Sequence, residues 1–298
     1  MEKWKGVTLV VISAICFGLM STLARLARSF GVNLLTMLSI RFLIAFCILV
    51  VIGFATKKNF RISIKDFFVL TLMGIFGYAV MAFLLFSSYH YLPVSIATII
   101  FYMYPLLTYI LSILLKYEIF KVKKAIIYAI CIIGLVTSIY SGGEIAPLGI
   151  VFAISAAAIY SIFIIISDTL IKDIPSFVST TIICLTAGLT LLIVGLLKHE
   201  VSVNLSLNGW GIILVFAIVS TVVPIVFFFN GVKIIGAANA ALLSTIEPVT
   251  AILLSVVLFH DVLNWIQQLG IIVVLAATML SQYKSRVADH SYMEKISA

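Results

Sequence analysis

Charge is what this sequence has least of. Only 10% of its 298 residues are Asp, Glu, Lys or Arg, against 63% hydrophobic residues and a mean hydropathy of +1.28. A water-soluble domain carries ~25% charged residues because its surface requires them. That composition excludes a soluble fold of this size, and the high apolar content excludes disorder. Cysteine is also scarce. Cys16, Cys47, Cys131 and Cys184 each sit inside an apolar stretch, at no spacing that makes a zinc site or a redox pair, and read as buried free thiols. The four histidines, His90, His199, His260 and His290, fall at the ends of apolar runs or in a tail. With no HExxH and no Walker loop, nothing here assembles the clustered chemistry of a membrane-embedded enzyme. No metal or cofactor is expected, and no polar stretch is long enough for a domain outside a bilayer. The net charge of +8 forms no patch, so nucleic acid is not an expected partner.

What is present is a succession of apolar runs, at 6–24, 34–55, 66–88, 94–115, 124–140, 148–167, 175–197, 210–231, 237–259 and 265–283. A hydrocarbon core of ~30 Å takes about 20 residues of helix, which predicts ten spans. The runs are continuously apolar and show no period-two alternation, so they are helices and not barrel strands. Pro93, Pro147 and Pro175 stand at run starts, where a missing amide costs little. Trp4, Trp210, Trp265, Tyr140 and Tyr283 stand at run ends, as interfacial anchors do. The beginning of the chain mimics a signal peptide, but its apolar run is near full spanning length and lacks a clear cleavage site, which predicts an uncleaved first helix.

Ten spans assign each loop to one of two sides. Fifteen of the nineteen lysines and arginines fall on the side of the N-terminus. Arg25, Arg28 and Lys198 fall on the other, and Arg41 lies within a helix. The positive-inside bias then places both termini in the cytoplasm. Short loops and compact tails point to a bacterial plasma membrane, with lipid as the surrounding partner.

Shifted by 143 residues, the chain aligns with itself. Gly6 meets Gly149, Phe17 meets Tyr160, Gly18 meets Ser161, Ala97 meets Ala240, Pro105 meets Pro248, Glu118 meets Asp261 and Tyr140 meets Tyr283. Each half then holds five helices. An odd number forces the halves into the membrane in opposite directions. The charges agree: Lys116, Lys121, Lys123 and Lys124 mark an inside loop, whereas Asp261–Asn264 carries no basic residue. Inverted repeats of this kind are typical of secondary transporters, because interchangeable halves give inward- and outward-open states of similar energy. A channel or a scaffold, the remaining alternatives, needs a pore ring or no duplicated mid-helix prolines respectively.

Pro105 with Glu118, and Glu247-Pro248 with Asp261, resemble the paired EamA-type motif of the drug/metabolite transporter superfamily, a helical proline followed by an acid at the helix end. Arg41-Phe42 resembles that family's arginine–aromatic pair. The sequence departs from the pattern in carrying Asp261 instead of glutamate, and Cys184 as the counterpart of Arg41. The resemblance implies an all-α integral membrane protein of ten transmembrane helices, two inverted five-helix repeats around a central cavity. The repeats would occupy 1–140 and 144–283, with 284–298 as a cytoplasmic tail. It further implies a non-enzymatic transporter, mostly an exporter, of amino acids, related metabolites or drugs.

Ionisable groups at membrane depth cost ~2.5–3.5 kcal/mol each on insertion scales and are site candidates by default. Glu247 lies about ten residues into its run, near the midplane at ~1.5 Å per residue, and Arg41 about seven residues into its own. Three arrangements suit them. Glu247 faces a cavity and holds a substrate amine or a coupling proton, or it forms an internal ion pair with Arg41 that fixes packing, or the charged ends snorkel toward the interface. Pro105 and Pro248 are expected to kink their helices at symmetric positions and expose carbonyls. Ser13, Phe17 and Ser21 share one helix face. With Tyr78, Thr98, Tyr102, Tyr160, Asn239 and Ser244 they form a candidate lining for a neutral or zwitterionic solute, though small residues at this spacing equally serve close helix packing. His90 and Lys233, equivalent in the repeat, are candidates to gate the inner mouth, although placement at the interface explains them more simply.

Overall fold

The computed structural model describes residues 2–57, 59–117, 119–140, 146–171, 174–235, 240, 243–244, 246–277 and 280. Among these, every regular element is a helix. In chain order they are α1 (Glu2–Ser29), α2 (Leu34–Ala55), α3 (Ile64–Ser88), α4 (Val94–Leu114), α5 (Val122–Tyr140), α6 (Pro147–Leu170), α7 (Ser176–Leu197), α8 (Leu207–Ile235), α9 (Ile246–Phe259) and α10 (Trp265–Ala277). Seven of them, α1–α4 and α6–α8, are long and apolar enough to cross a membrane; α9, α10 and the centre of α5 are shorter apolar helices.

Local chemistry sets the helix ends. The Asn33 side chain accepts from the Thr36 amide at 2.8 Å, Ser63 from Asp66 at 3.0 Å and Ser206 from Gly209 at 3.1 Å, capping α2, α3 and α8. Pro93 and Pro175 occupy N-cap positions and Pro147 opens α6, as their sequence positions predict. Four ends close through a residue with positive φ that is not glycine: Lys57, Lys116, His199 and His260. The left-handed conformation lets the following amide reach back. Tyr117 N–H bonds the Ser112 carbonyl at 2.8 Å, and Glu200 N–H bonds that of Gly195 at 2.9 Å.

Three helices are interrupted. α3 and α8 each contain a π-helical stretch, Met73–Ala79 and Ile218–Val222. Both stretches end at the same place in the repeat, since 222 and 79 differ by 143. α4 breaks at Tyr102–Met103 into Val94–Phe101 and Tyr104–Leu114. Pro105 has no N–H to offer the Phe101 carbonyl one turn back. The chain there uses tighter turns instead, with Met103 N–H on Ile100 O at 3.1 Å and Leu106 N–H on Met103 O at 3.0 Å. The kink expected at Pro105 is therefore a full interruption. Pro248 likewise stands in the first turn of α9, where Glu247 N–H bonds the Ser244 carbonyl three residues back at 3.0 Å.

α1 packs on α8 and α9, α6 packs on α3 and α4, and α2 packs on α7. Leu38, Phe42 and Leu49 of α2 meet Ala187 and Leu191 of α7 and Phe216 of α8 in the largest core. Tyr109, Ile127, Leu135, Ile252 and Val274 join α4, α5, α9 and α10. Large apolar side chains such as Phe54, Phe76 and Ile133 face outward. Such exposure is costly in water and suits lipid. Trp4, Trp210 and Trp265 are exposed near helix starts, where interfacial anchors belong.

Candidate functional site

The interruptions of α3 and α4 and the start of α9 meet in the bundle, where Tyr78, Tyr102 and Glu247 line one space. There a cavity of about 160 Å³ is lined by Phe17, Ser21, Arg41, Tyr78, Tyr102, Tyr160 and Glu247, among others. A second cavity of about 380 Å³ shares Phe17, Tyr78, Tyr102, Tyr160 and Glu247 with it. This one runs on past Phe163, Thr180 and Phe229 toward the end of the bundle where α1 begins. On the opposite side a vestibule of about 1130 Å³ opens between the α1–α2 turn and the α3–α4 turn. It meets the central cavity at Phe86 and Tyr89, which line both. Three spaces are thus strung along the bundle, and the smallest lies between the other two.

Glu247 reaches this place because α9 starts there. Its carboxylate sits among tyrosines, with the Tyr102 hydroxyl beside it. The rings of Tyr102 and Tyr104 lie 5.9 Å apart, those of Tyr104 and Tyr160 4.9 Å edge-to-face, and Tyr160 stacks on Phe163 at 5.9 Å. Tyr104 occupies the repeat position of Glu247, just as Phe17 occupies that of Tyr160. Gly18 allows the close approach behind Glu247. A Cβ there would lie 2.7 Å from the Glu247 carbonyl oxygen and 2.6 Å from Thr250. At the equivalent position Ser161 donates to the Tyr104 carbonyl at 3.0 Å.

Arg41 and Glu247 line the same cavity without forming an ion pair. Arg41 is 1% exposed, and its Nε and Nη1 have no hydrogen-bond partner. Its guanidinium lies over the rings of Phe42 at 4.1 Å, Phe216 at 4.5 Å and Phe86 at 5.5 Å. The ion pair present among the described residues joins Arg25 Nη1 to Asp261 at 2.9 Å, at the rim of the vestibule. Ser255 also donates to Asp261, and Arg25 stacks over Phe259 at 4.2 Å.

The remaining expected residues divide. Ser244 and Pro248 line the second cavity, and Thr98 the central one. Asn239 lies outside the described residues. Ser13 is fully buried between α1 and α8, where its hydroxyl donates to the Pro224 carbonyl at 2.8 Å, and it lines neither cavity. It acts in packing because its helix face turns toward α8 one turn before Phe17. His90 and Lys233 cannot share a mouth. His90 opens onto the vestibule, while Lys233 ends α8 next to Ile234 and Ile235, which pack against Gly6 at the start of α1. Sequence reading missed Tyr89, Tyr104, Phe86 and Phe216; for Tyr104 the 143-residue offset from Glu247 was the available signal.

The EamA-like transporter family model matches the chain twice, over residues 4–140 and 147–283. Among curated proteins, an uncharacterized transporter of Archaeoglobus fulgidus is 28% identical over 280 residues, covering 93% of this chain and 96% of its own. The uncharacterized transporter YetK of Bacillus subtilis is 25% identical over 262 residues, 84% of this chain and 78% of its own. A crystal structure, described only as that of a protein, superposes with a TM-score of 0.67 at 21% identity, over 95% of this chain and 98% of that one; it shares the fold.

Proposed function

This chain belongs to the EamA-like transporter family, and on that premise we propose that it is a secondary transporter, working as an exporter, that moves small organic solutes across the plasma membrane by alternating access. The cargo is an amino acid, a related metabolite or a drug of similar size, and the protein performs no chemistry on it. In this reading all ten helices cross the bilayer. The repeats, 1–140 and 144–283, enter it in opposite directions, both termini are cytoplasmic, and 284–298 is a tail. Glu247 serves the cargo or a coupling proton.

One observation carries the proposal. The central cavity is walled by equivalent positions of both halves, Phe17 with Tyr160 and Tyr104 close by Glu247, and it stands between a wide vestibule on one side and a second cavity on the other. A site reached from two sides, with the halves as walls, suits a rocking cycle. The packing supports it further, since α1 rests on α8 and α9 as α6 rests on α3 and α4. The test is a resistance screen. Cells overproducing the protein are challenged with toxic amino acids and drugs, and intracellular solute is measured. Selective depletion of a solute, abolished by Glu247→Gln at unchanged protein level, is the expected result. Unchanged solute levels across the panel, repeated in proteoliposomes under an imposed proton gradient, overturn it.

A further inference from the structure

We propose that the central cavity is built for a compact zwitterion with a fully methylated ammonium group, its carboxylate seated on Arg41 and its ammonium beside Glu247. The inference deepens the transport reading and rests on it.

Arg41 supplies the first half of the argument. A guanidinium buried to 1% exposure, with Nε and Nη1 both unpartnered, is a charge without an answer. The Phe42 and Phe216 rings lie against the cation but accept nothing from its in-plane N–H groups. A buried charge persists where it is paired, and the partner best shaped for a planar guanidinium is a carboxylate. The protein's own carboxylate in this cavity, Glu247, makes no ion pair with it. The Ser21 hydroxyl, buried and unpartnered in the same cavity, offers one more donor.

The other half comes from the surroundings of Glu247. The Glu247 carboxylate shares the cavity wall with the aromatic rings of Phe17, Tyr78, Tyr102 and Tyr160. A primary ammonium carries three N–H donors and asks for three acceptors. A methylated ammonium asks for none, spreads its charge over its methyl groups, and is attracted by aromatic faces. Charge balance joins the two halves. A simple cation would leave Arg41 unmet and a simple anion would leave Glu247 unmet; one molecule carrying both charges answers both. The cavity volume of about 160 Å³ favours a compact molecule over a peptide.

The probe is glycine betaine, measured by equilibrium binding and by counterflow with the full-length protein in lipid. Three analogues each remove one feature. Tetramethylammonium lacks the carboxylate, 3,3-dimethylbutanoate has carbon in place of the charged nitrogen, and glycine lacks the methyl groups. Glycine betaine is expected to bind at least about tenfold more tightly than each, a difference of ~1.4 kcal/mol. Arg41→Gln should reduce betaine to the level of tetramethylammonium, and Arg41→Lys should retain part of the preference. Glu247→Gln should reduce it to the level of 3,3-dimethylbutanoate. Betaine binding no tighter than either isostere by the unaltered protein overturns the zwitterion site, whatever the variants do. Glycine binding as tightly as its trimethyl form overturns the methylated end. Counterflow of other solutes from an amino-acid panel, without preference for betaine, defeats this inference and leaves the transport reading standing. Absence of counterflow for every solute defeats both.

Discussion

Glu247 is the residue on which transport is expected to turn. A charged hydrogen-bond partner is worth ~1.5–3 kcal/mol, so Glu247→Gln should lower transport about tenfold or more at unchanged expression. Full activity of the variant across a pH series would remove the residue from the mechanism. Gly18 tests the same place through the backbone. A methyl group at Gly18 would lie 2.7 Å from the Glu247 carbonyl oxygen, whereas one at Gly211 meets nothing within 4 Å. Gly18→Ala should lower thermal stability in detergent by ~1–3 kcal/mol, the usual cost of overpacking, and Gly211→Ala, in a helix with open space around it, should leave it unchanged or raise it by up to ~1 kcal/mol. Equal behaviour of the two variants would contradict the α1–α9 contact.

His90 gives a pH dependence with a definite sign. Burial, reinforced by Arg28, holds its pKa below the ordinary 6.5, partly offset by the Phe86 carbonyl. Between the two values the unfolded chain binds more protons than the folded one. This group's contribution to stability is therefore complete above pH 6.5 and is lost as pH falls through the lower, folded value. Thermal midpoints should decline on that acid side in the unaltered protein and decline less in His90→Gln. Identical acid slopes would show that His90 does not titrate as described.

At the scale of elements, the Arg25–Asp261 pair ties the end of α1 to the α9–α10 turn across the vestibule rim. Arg25 is substantially exposed, so its contribution to stability is small, ~0–1 kcal/mol. Its interest lies in the cycle, because α1 and α9 belong to different halves. Cysteines placed at 25 and 261 and joined by a short, reducible bifunctional thiol reagent should arrest transport, and cleavage of the linker should restore it. Undiminished transport by the cross-linked protein would show that these ends do not separate. The two π-helical stretches and the break before Pro105 were only partly legible. Pro105 and Pro248 announced a disturbance, but a lost hydrogen bond permits either a bend or a break. The break at Tyr102–Met103 depends on what α6 presents there. Nothing local marks Met73–Ala79 as π-helical. Gly74 and Gly77 do sit where α7 and α6 press closest, with added Cβ atoms 1.8 Å from Thr186 Oγ1 and 2.9 Å from Phe163.

For the whole molecule, the test is sidedness. Single cysteines introduced at residues 61 and 121 should be protected from an impermeant thiol reagent in intact cells, and cysteines at 31 and 202 should be labelled, all in a background lacking the native cysteines. Labelling of both sets from one side would end the inverted-repeat account.

Composition and the spacing of apolar runs determined by themselves that this is a helical membrane protein and where most of its helices lie, and the 143-residue offset showed which positions correspond. These are properties of each segment against lipid and water, and they act locally. The alignment at 143 residues could pair Phe17 with Tyr160 because it needs only order along the chain. Which side chains share a cavity was decided by the tertiary structure alone. Ser13 and Phe17 stand on one helix face, yet the first is sealed against the Pro224 carbonyl of α8 and the second lines the cavity. Arg41 and Glu247 were an open choice between pairing and facing a common space. The tertiary structure sets the guanidinium against the rings of Phe42 and Phe216, brought by α2 and α8, with no ion pair to the carboxylate. A sequence states what each residue offers, but only the packing of distant helices fixes what it meets.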